Sequence, residues 1–160
     1  MVPTDVLSRL GRVACVINPH SGSTPEDAAD LIREKLSGLP DEARIHVAGD
    51  GNLPLLVEEA LSGNPDTLIV WGGDGTIACA LSHAGITGPA ILPLPGGTMN
   101  MLPTRALGAE QDWETLMDRA LIGGKVRPMP CGEIIDGPRF FVAAMLGDMT
   151  RFTNSREALR

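Results

Sequence analysis

Four short apolar runs, each closed by a turn rich in glycine, proline or asparagine and followed by an amphipathic stretch, set the pattern of this chain. After a short leader with Val6, Leu7 and Leu10, the run Arg12-Val13-Ala14-Cys15-Val16-Ile17 reads as a buried strand ending at Asn18-Pro19-His20-Ser21-Gly22-Ser23. Thr24 is placed to cap a helix, with Pro25 at its first position, Glu26 and Asp27 at its positive end, and Ala28, Leu31, Ile32 and Leu36 as its apolar stripe. Gly38 and Pro40 stop it. Arg44 to Val47 reads as a second strand, and Asn52 then opens a helix carrying Leu53, Leu56, Val57, Ala60 and Leu61 up to Gly63-Asn64-Pro65. Thr67 to Trp71 is the third strand. It runs into Gly72-Gly73-Asp74-Gly75-Thr76, and a helix with Ile77, Ala80, Leu81 and Ala84 begins at once. Ala90 to Leu94 is the fourth, closed by Pro95-Gly96-Gly97-Thr98-Met99-Asn100 and followed by a helix with Pro103 in its first turn. Asp112 starts a last amphipathic helix, with Trp113, Leu116, Met117, Ala120 and Leu121 on one face and Gly123-Gly124 at its end.

Strands alternating with helices predict a parallel sheet with right-handed crossovers, hence an α/β layered domain over residues 1–124. After Lys125 the pattern turns antiparallel. Met129 to Ile135 and Arg139 to Leu146 are β-like runs joined by the hairpin signal Asp136-Gly137, and Asn154 to Arg160 opens a helix that reaches no C-cap. We expect residues 125–160 to be the start of an incomplete second β lobe.

In a parallel sheet the loops after strands one, three and four leave from the same carboxyl edge, where α/β sheets bind ligands. Alone, a glycine-rich turn before a helix is a turn, Asn-Pro opens many loops, and Thr98 or Asn100 serves equally as a helix cap. Three such loops on one rim form a cradle for phosphate. It would be lined by backbone N–H groups, the hydroxyls of Ser21, Thr76 and Thr98, and the amides of Asn18 and Asn100. The glycines Gly22, Gly72, Gly73, Gly75 and Gly97 allow close approach of a ligand to the backbone. Asp74 would repel a bare phosphate, so its carboxylate points to magnesium or to a ribose hydroxyl. Between Gly75 and Glu110 there is no Asp or Glu to repel an anion. Arg105 is either a phosphate contact from the helix after the third loop or a solvated side chain. His20 reads as a solvated loop residue, and His46 and His83 as structural.

The remaining composition narrows the class. The 160 residues are 43% hydrophobic with a net charge of −7, which argues against a nucleic-acid partner and against electrostatic docking on an anionic membrane. No apolar run approaches the roughly 20 residues that span a bilayer, and the N-terminus lacks a signal-peptide layout, so a cytoplasmic location is expected. Cys15, Cys79 and Cys131 are widely spaced, and Cys15 and Cys79, within element patterns, read as buried free thiols. There is no Walker-type Gly-x-x-x-x-Gly-Lys-Ser/Thr and no Gly-x-Ser-x-Gly elbow. Gly73 to Ala78 fits Gly-x-Gly-x-x-Ala, but no acid follows at about 20 residues to hold a ribose, which weakens a dehydrogenase reading.

Asn18-Pro19-x-Ser21-Gly22, Gly72-Gly73-Asp74-Gly75-Thr76 and Pro93-Leu94-Pro95-Gly96-Gly97-Thr98-Met99-Asn100 together resemble the three signatures of the diacylglycerol kinase catalytic domain, shared by bacterial lipid kinases and sphingosine kinases. The likeness runs from Val13 to about Gly108, with a weaker echo in Gly132 to Gly147. It implies a two-lobed fold in which a phosphofructokinase-like or NAD kinase-like N-terminal lobe binds ATP and Mg2+ and a β-sandwich lobe completes the cleft. By matching position, Asn18, Ser21 and Gly22 would line the nucleotide site, Gly72 to Thr76 would embrace the phosphates with Asp74 near the metal, and Thr98 would contact them. Ala78 stands where relatives often carry Asn, the third loop has an additional Pro95-Gly96, and the threonine that often follows the second strand has no clear match around Ala48 to Asp50.

The resemblance implies transfer of the γ-phosphate of ATP to a hydroxyl of a diacylglycerol-like lipid alcohol, with transient membrane contact. The general base is expected late in the second lobe, beyond Arg160, so these 160 residues alone should bind nucleotide and transfer phosphate poorly or not at all. Two alternatives stay open: an NAD kinase-like enzyme, since the Gly-Gly-Asp-Gly element occurs there too, and a non-catalytic nucleotide-binding module.

Overall fold

The computed structural model describes residues 10–108 and 112–142. Its backbone divides into two compact units between Met129 and Pro130. The first holds a four-stranded parallel sheet of β1 (Val13–Ile17), β2 (Arg44–Val47), β3 (Thr67–Gly72) and β4 (Ala90–Pro95), in the order β2-β1-β3-β4. Among its described residues are five helices: α1 (Ala28–Lys35), α2 (Leu53–Ser62), α3 (Asp74–Ala84), α4 (Met101–Leu107) and α5 (Trp113–Gly123). The expected α/β architecture and all four strands are therefore present.

The central strands are buried on both faces, which is why β1 and β3 are continuous apolar runs and not alternating ones. Val13, Cys15 and Ile17 of β1, Ile69 and Trp71 of β3, and Leu92 and Leu94 of β4 form one core with Ala28, Ile32 and Leu36 from α1 and its C-cap, and Leu116, Met117 and Leu121 from α5. Lys35 and Asp118, 2.8 Å apart, pair α1 with α5 on that face. The intervening residues Ala14, Val16, Leu68 and Val70 are equally buried and leave by the pleat on the other face. There Val57 and Ala60 of α2 and Ile77 and Ala80 of α3 supply the buried positions, and α2 packs on α3. Each fully buried Val, Leu, Ile or Met side chain contributes about 1.5–3 kcal/mol.

The register sets the rim. Ile17 pairs with Trp71 and Trp71 with Leu94, so three fully buried side chains form a flush last row and the loops leave together just beyond it. The Trp71 indole Nε1 donates to the Pro95 carbonyl at 3.1 Å, and its ring lies 4.7 Å from that of Trp113 at an interplanar angle of 35°.

Two local readings are corrected. Helix α1 starts at Ala28 and not near Thr24, because the Thr24 hydroxyl is drawn to the Gly96 carbonyl at 3.4 Å and a turn through Pro25–Asp27 intervenes. Of the two cysteines expected to be buried, only Cys15 is; Cys79 is half-buried, and Cys131 is exposed.

The second unit contains β5 (Gly132–Glu133) and β6 (Arg139–Phe140), an antiparallel pair with Gly132 opposite Phe140 and Glu133 opposite Arg139. Asp136 takes the left-handed conformation, φ 58°, and Ile134 and Pro138 close the turn through an N–H to carbonyl bond of 3.3 Å. The expected hairpin is present around Asp136-Gly137, with strands shorter than the apolar runs suggest. Residues 143–146 and the helix expected from Asn154 lie outside the described residues. Among the described residues no helix is long and apolar enough to cross a membrane.

Candidate nucleotide-binding site

The chain leaves β1 toward β2 on one side and leaves β3 toward β4 on the other. The neighbours β1 and β3 therefore mark the place where the strand order reverses, the crevice at which open α/β sheets take their ligands. The loops after β1 and β3 emerge on either side of it, and the loop after β4 stands next to the second.

The three loops are bonded pairwise into a ring. The first and second are joined by Asn18, whose N–H donates to the Trp71 carbonyl at 2.8 Å and whose side-chain Nδ2 donates to Thr76 Oγ1 at 3.0 Å; Ser21 Oγ lies 3.5 Å from the same hydroxyl. The second and third are joined by Gly96 N–H donating to the Gly72 carbonyl at 3.0 Å and by Leu102 N–H donating to Asp74 Oδ1 at 2.7 Å. The third and first are joined by Ser23, which donates from its N–H to Gly96 O at 3.0 Å and from its hydroxyl to Gly97 O at 3.1 Å, with the Thr24 hydroxyl beside it. Ser21, Asp74 and Thr98 thus belong to loops that meet at one rim.

The glycines make this contact geometrically possible. A Cβ on Gly97 would stand 2.7 Å from the Gly73 Cα, a distance at which backbone has to move, so only glycine lets the second and third loops touch. A Cβ on Gly75 would meet nothing within 4 Å, so this face of the loop is open. Gly22 has φ +92°, and a Cβ there would stand 3.9 Å from Thr98 Oγ1.

Several side chains expected to face a ligand serve the loops instead. Thr76 is buried, does not cap α3 (the N-cap is Gly73) and receives the Asn18 amide. Asn18 also accepts from His20 N–H at 3.1 Å, so both ends of its amide are engaged. Asn100 sits in the left-handed region, φ 48°, with its Oδ1 accepting from Gly97 N–H at 2.8 Å. Thr98 is exposed. The N–H groups of Asp74, Gly75 and Thr76, in the first turn of an 11-residue helix, have no acceptor four residues back and carry the positive end of its dipole. Ser23 and Leu102 were not singled out from sequence, and Thr24 was read only as a helix cap; the run Ser21-Gly22-Ser23-Thr24 is the signal that a second set of hydroxyls was available.

Asp74 is the sole acidic residue of the three loops and has one carboxylate oxygen committed to Leu102. Among the described residues no three of His, Cys, Asp and Glu converge as a metal cage. This donor set fits a hydrated magnesium held chiefly by phosphate oxygens, since Mg2+ keeps several waters and needs only one or two carboxylates.

Residues 12–134 match the model of the diacylglycerol kinase catalytic domain. The chain belongs to that family. It is 33% identical over 145 residues to a protein of Klebsiella pneumoniae (strain 342) named "Probable lipid kinase YegS-like", covering 86% of this chain and 46% of that one. Its fold matches the crystal structure of a diacylglycerol kinase from Bacillus anthracis str. Sterne with a TM-score of 0.55 at 26% identity, over 69% of this chain and 39% of that one. The chain thus spans about half the length of the curated relative it matches.

Proposed function

We propose that this chain is the ATP-binding portion of an ATP- and Mg2+-dependent lipid kinase that transfers the γ-phosphoryl group to a hydroxyl of a diacylglycerol-like lipid alcohol. The observation that carries this reading is the ring of three loops at the switch point between β1 and β3, in a chain of the diacylglycerol kinase family.

The N–H groups of Asp74, Gly75 and Thr76 receive phosphate oxygens, and the open side of Gly75 lets the polyphosphate reach the backbone. The Thr98 hydroxyl and the Ser21 side chain flank it. Asp74, through the oxygen that Leu102 leaves free, would hold Mg2+ together with the phosphates, and the ion would neutralise charge on the transferring group. Phosphoryl transfer depends mainly on positioning and charge, so the rigid ring of loops contributes by fixing the donor. In this reading the acceptor hydroxyl loses its proton to a carboxylate base outside residues 1–124. The 160 residues alone therefore bind nucleotide with little or no transfer.

The test is a titration with ATP followed by tryptophan emission, since Trp71 ends beneath the loops, with and without Mg2+. Saturable binding strengthened by Mg2+ is expected; no binding in either condition overturns the proposal. The longer protein is then assayed with lipid alcohols and with NAD, and phosphorylation of NAD in place of lipid would move it to the NAD kinase alternative.

A further inference from the structure

We infer that Asp74 is a positioning residue that latches the third loop onto the second, in addition to any role toward magnesium. The inference concerns the site proposed above, but its first readout needs no ligand.

Asp74 opens α3 and Leu102 lies in the first turn of α4, 28 positions later, yet the carboxylate Oδ1 accepts the Leu102 N–H at 2.7 Å. A charged acceptor on a backbone N–H makes one of the stronger hydrogen bonds. The donor would otherwise be orphaned in the first turn of the helix. The Leu102 side chain is 2% exposed, so the far end of the latch is anchored in packed structure. Gly97 and Gly73 are in backbone contact, and Asn100 Oδ1 holds Gly97 N–H. Thr98 and Met99 are therefore pinned on both sides, at Gly97 and at Leu102. Cutting the Asp74 bond frees the second of these anchors and lets the Thr98 hydroxyl move relative to the N–H groups of α3.

The substitution pair Asp74→Asn and Asp74→Ala separates latch from charge. Asparagine keeps an oxygen that accepts from Leu102; alanine removes it. The amide exchange of Leu102 in the full 160-residue chain is expected to be near wild type in Asp74→Asn and at least about tenfold faster in Asp74→Ala. Metal-free ATP affinity is expected to follow the same order, falling about tenfold in Asp74→Ala and by no more than about twofold in Asp74→Asn. Mg2+-dependent tightening is lost in both. If Asp74→Ala does not fold, Asp74→Glu serves: it keeps the charge, displaces the acceptor and is expected to lose Leu102 protection. Unchanged Leu102 exchange in Asp74→Ala or Asp74→Glu overturns the latch, as does equal loss of protection in Asp74→Asn. Faster Leu102 exchange in a protein that binds no ATP even as wild type upholds the latch and retires the nucleotide reading alone.

Discussion

Asn18 and Thr76, 58 positions apart, meet across the switch point, with the Asn18 amide donating to the buried Thr76 hydroxyl at 3.0 Å. This bond turns two of the polar residues most suggestive of ligand binding into the joint between the first and second loops. Thr76→Val keeps the shape of the side chain but leaves the Asn18 amide without its acceptor. A loss of about 1–2 kcal/mol is expected in urea unfolding, together with weaker nucleotide binding. Asn18→Ala added to Thr76→Val should cost less than the sum of the two, because either change alone breaks the same bond.

Gly75 and Gly97 should respond oppositely to alanine. Gly97→Ala drives a methyl against the Gly73 backbone and is expected to cost about 1–3 kcal/mol. Gly75→Ala finds open space within a helix and is expected to leave stability unchanged or raise it by up to about 1 kcal/mol. The same methyl occupies the side from which phosphate would approach, so ATP affinity should fall in Gly75→Ala. A stable Gly75→Ala variant with full ATP affinity would remove Gly75 from the proposed cradle.

Acid should weaken the fold through two exposed carboxylates. The Arg12 backbone N–H, and then its side chain, hold Asp66 below the usual carboxylate range. The Thr115 N–H, and then its hydroxyl, do the same for Asp112 at the cap of α5. A lowered folded-state value means a contribution complete above the unfolded value, about 3.9, and lost as pH falls through the lower folded value. Thermal melting temperature is expected to fall below about pH 4, and less steeply in an Asp112→Asn variant, which retains an oxygen for the Thr115 N–H. An unchanged acid profile in that variant would show that the cap does not titrate in this range.

The three thiols should separate by rate. Burial pushes the Cys15 thiol up to about 12, while Cys131 is exposed and Cys79, whose thiol is raised by burial and by the nearby Glu58, is half-buried. Since thiolate and access govern reactivity, a thiol reagent at neutral pH should label Cys131 first, Cys79 more slowly and Cys15 only after unfolding. Rapid labelling of Cys15 in the native protein would contradict its place in the core.

Packing of α1 supplies a control on these measurements. Ile32→Ala removes a fully buried side chain on the face opposite α2 and α3 and is expected to cost about 2–5 kcal/mol. ATP affinity measured well below the unfolding transition should hardly change, because Ile32 belongs to the core beneath α1 and not to the three loops.

The sequence by itself determined the strand and helix order and where the loops fall, because short β-prone runs closed by glycine, proline or asparagine turns are local signals. Thr67 to Trp71 leading into Gly72-Gly73-Asp74-Gly75-Thr76 is an example: β-prone residues, a turn of small residues, and a helical stripe. Only the tertiary structure decided what the polar side chains do. Thr24 fits an N-cap and Thr76 a ligand donor when read along the chain, but the sheet order brings Gly96 to the first and Asn18 to the second, and each hydroxyl goes to the partner the fold presents. Asp74 likewise reads as a free carboxylate until α4 is set beside α3. A hydroxyl or carboxylate carries no period that announces its partner, whereas an apolar residue needs only to be on the buried face; that difference in specificity is why the fold could be read in one dimension and the site required three.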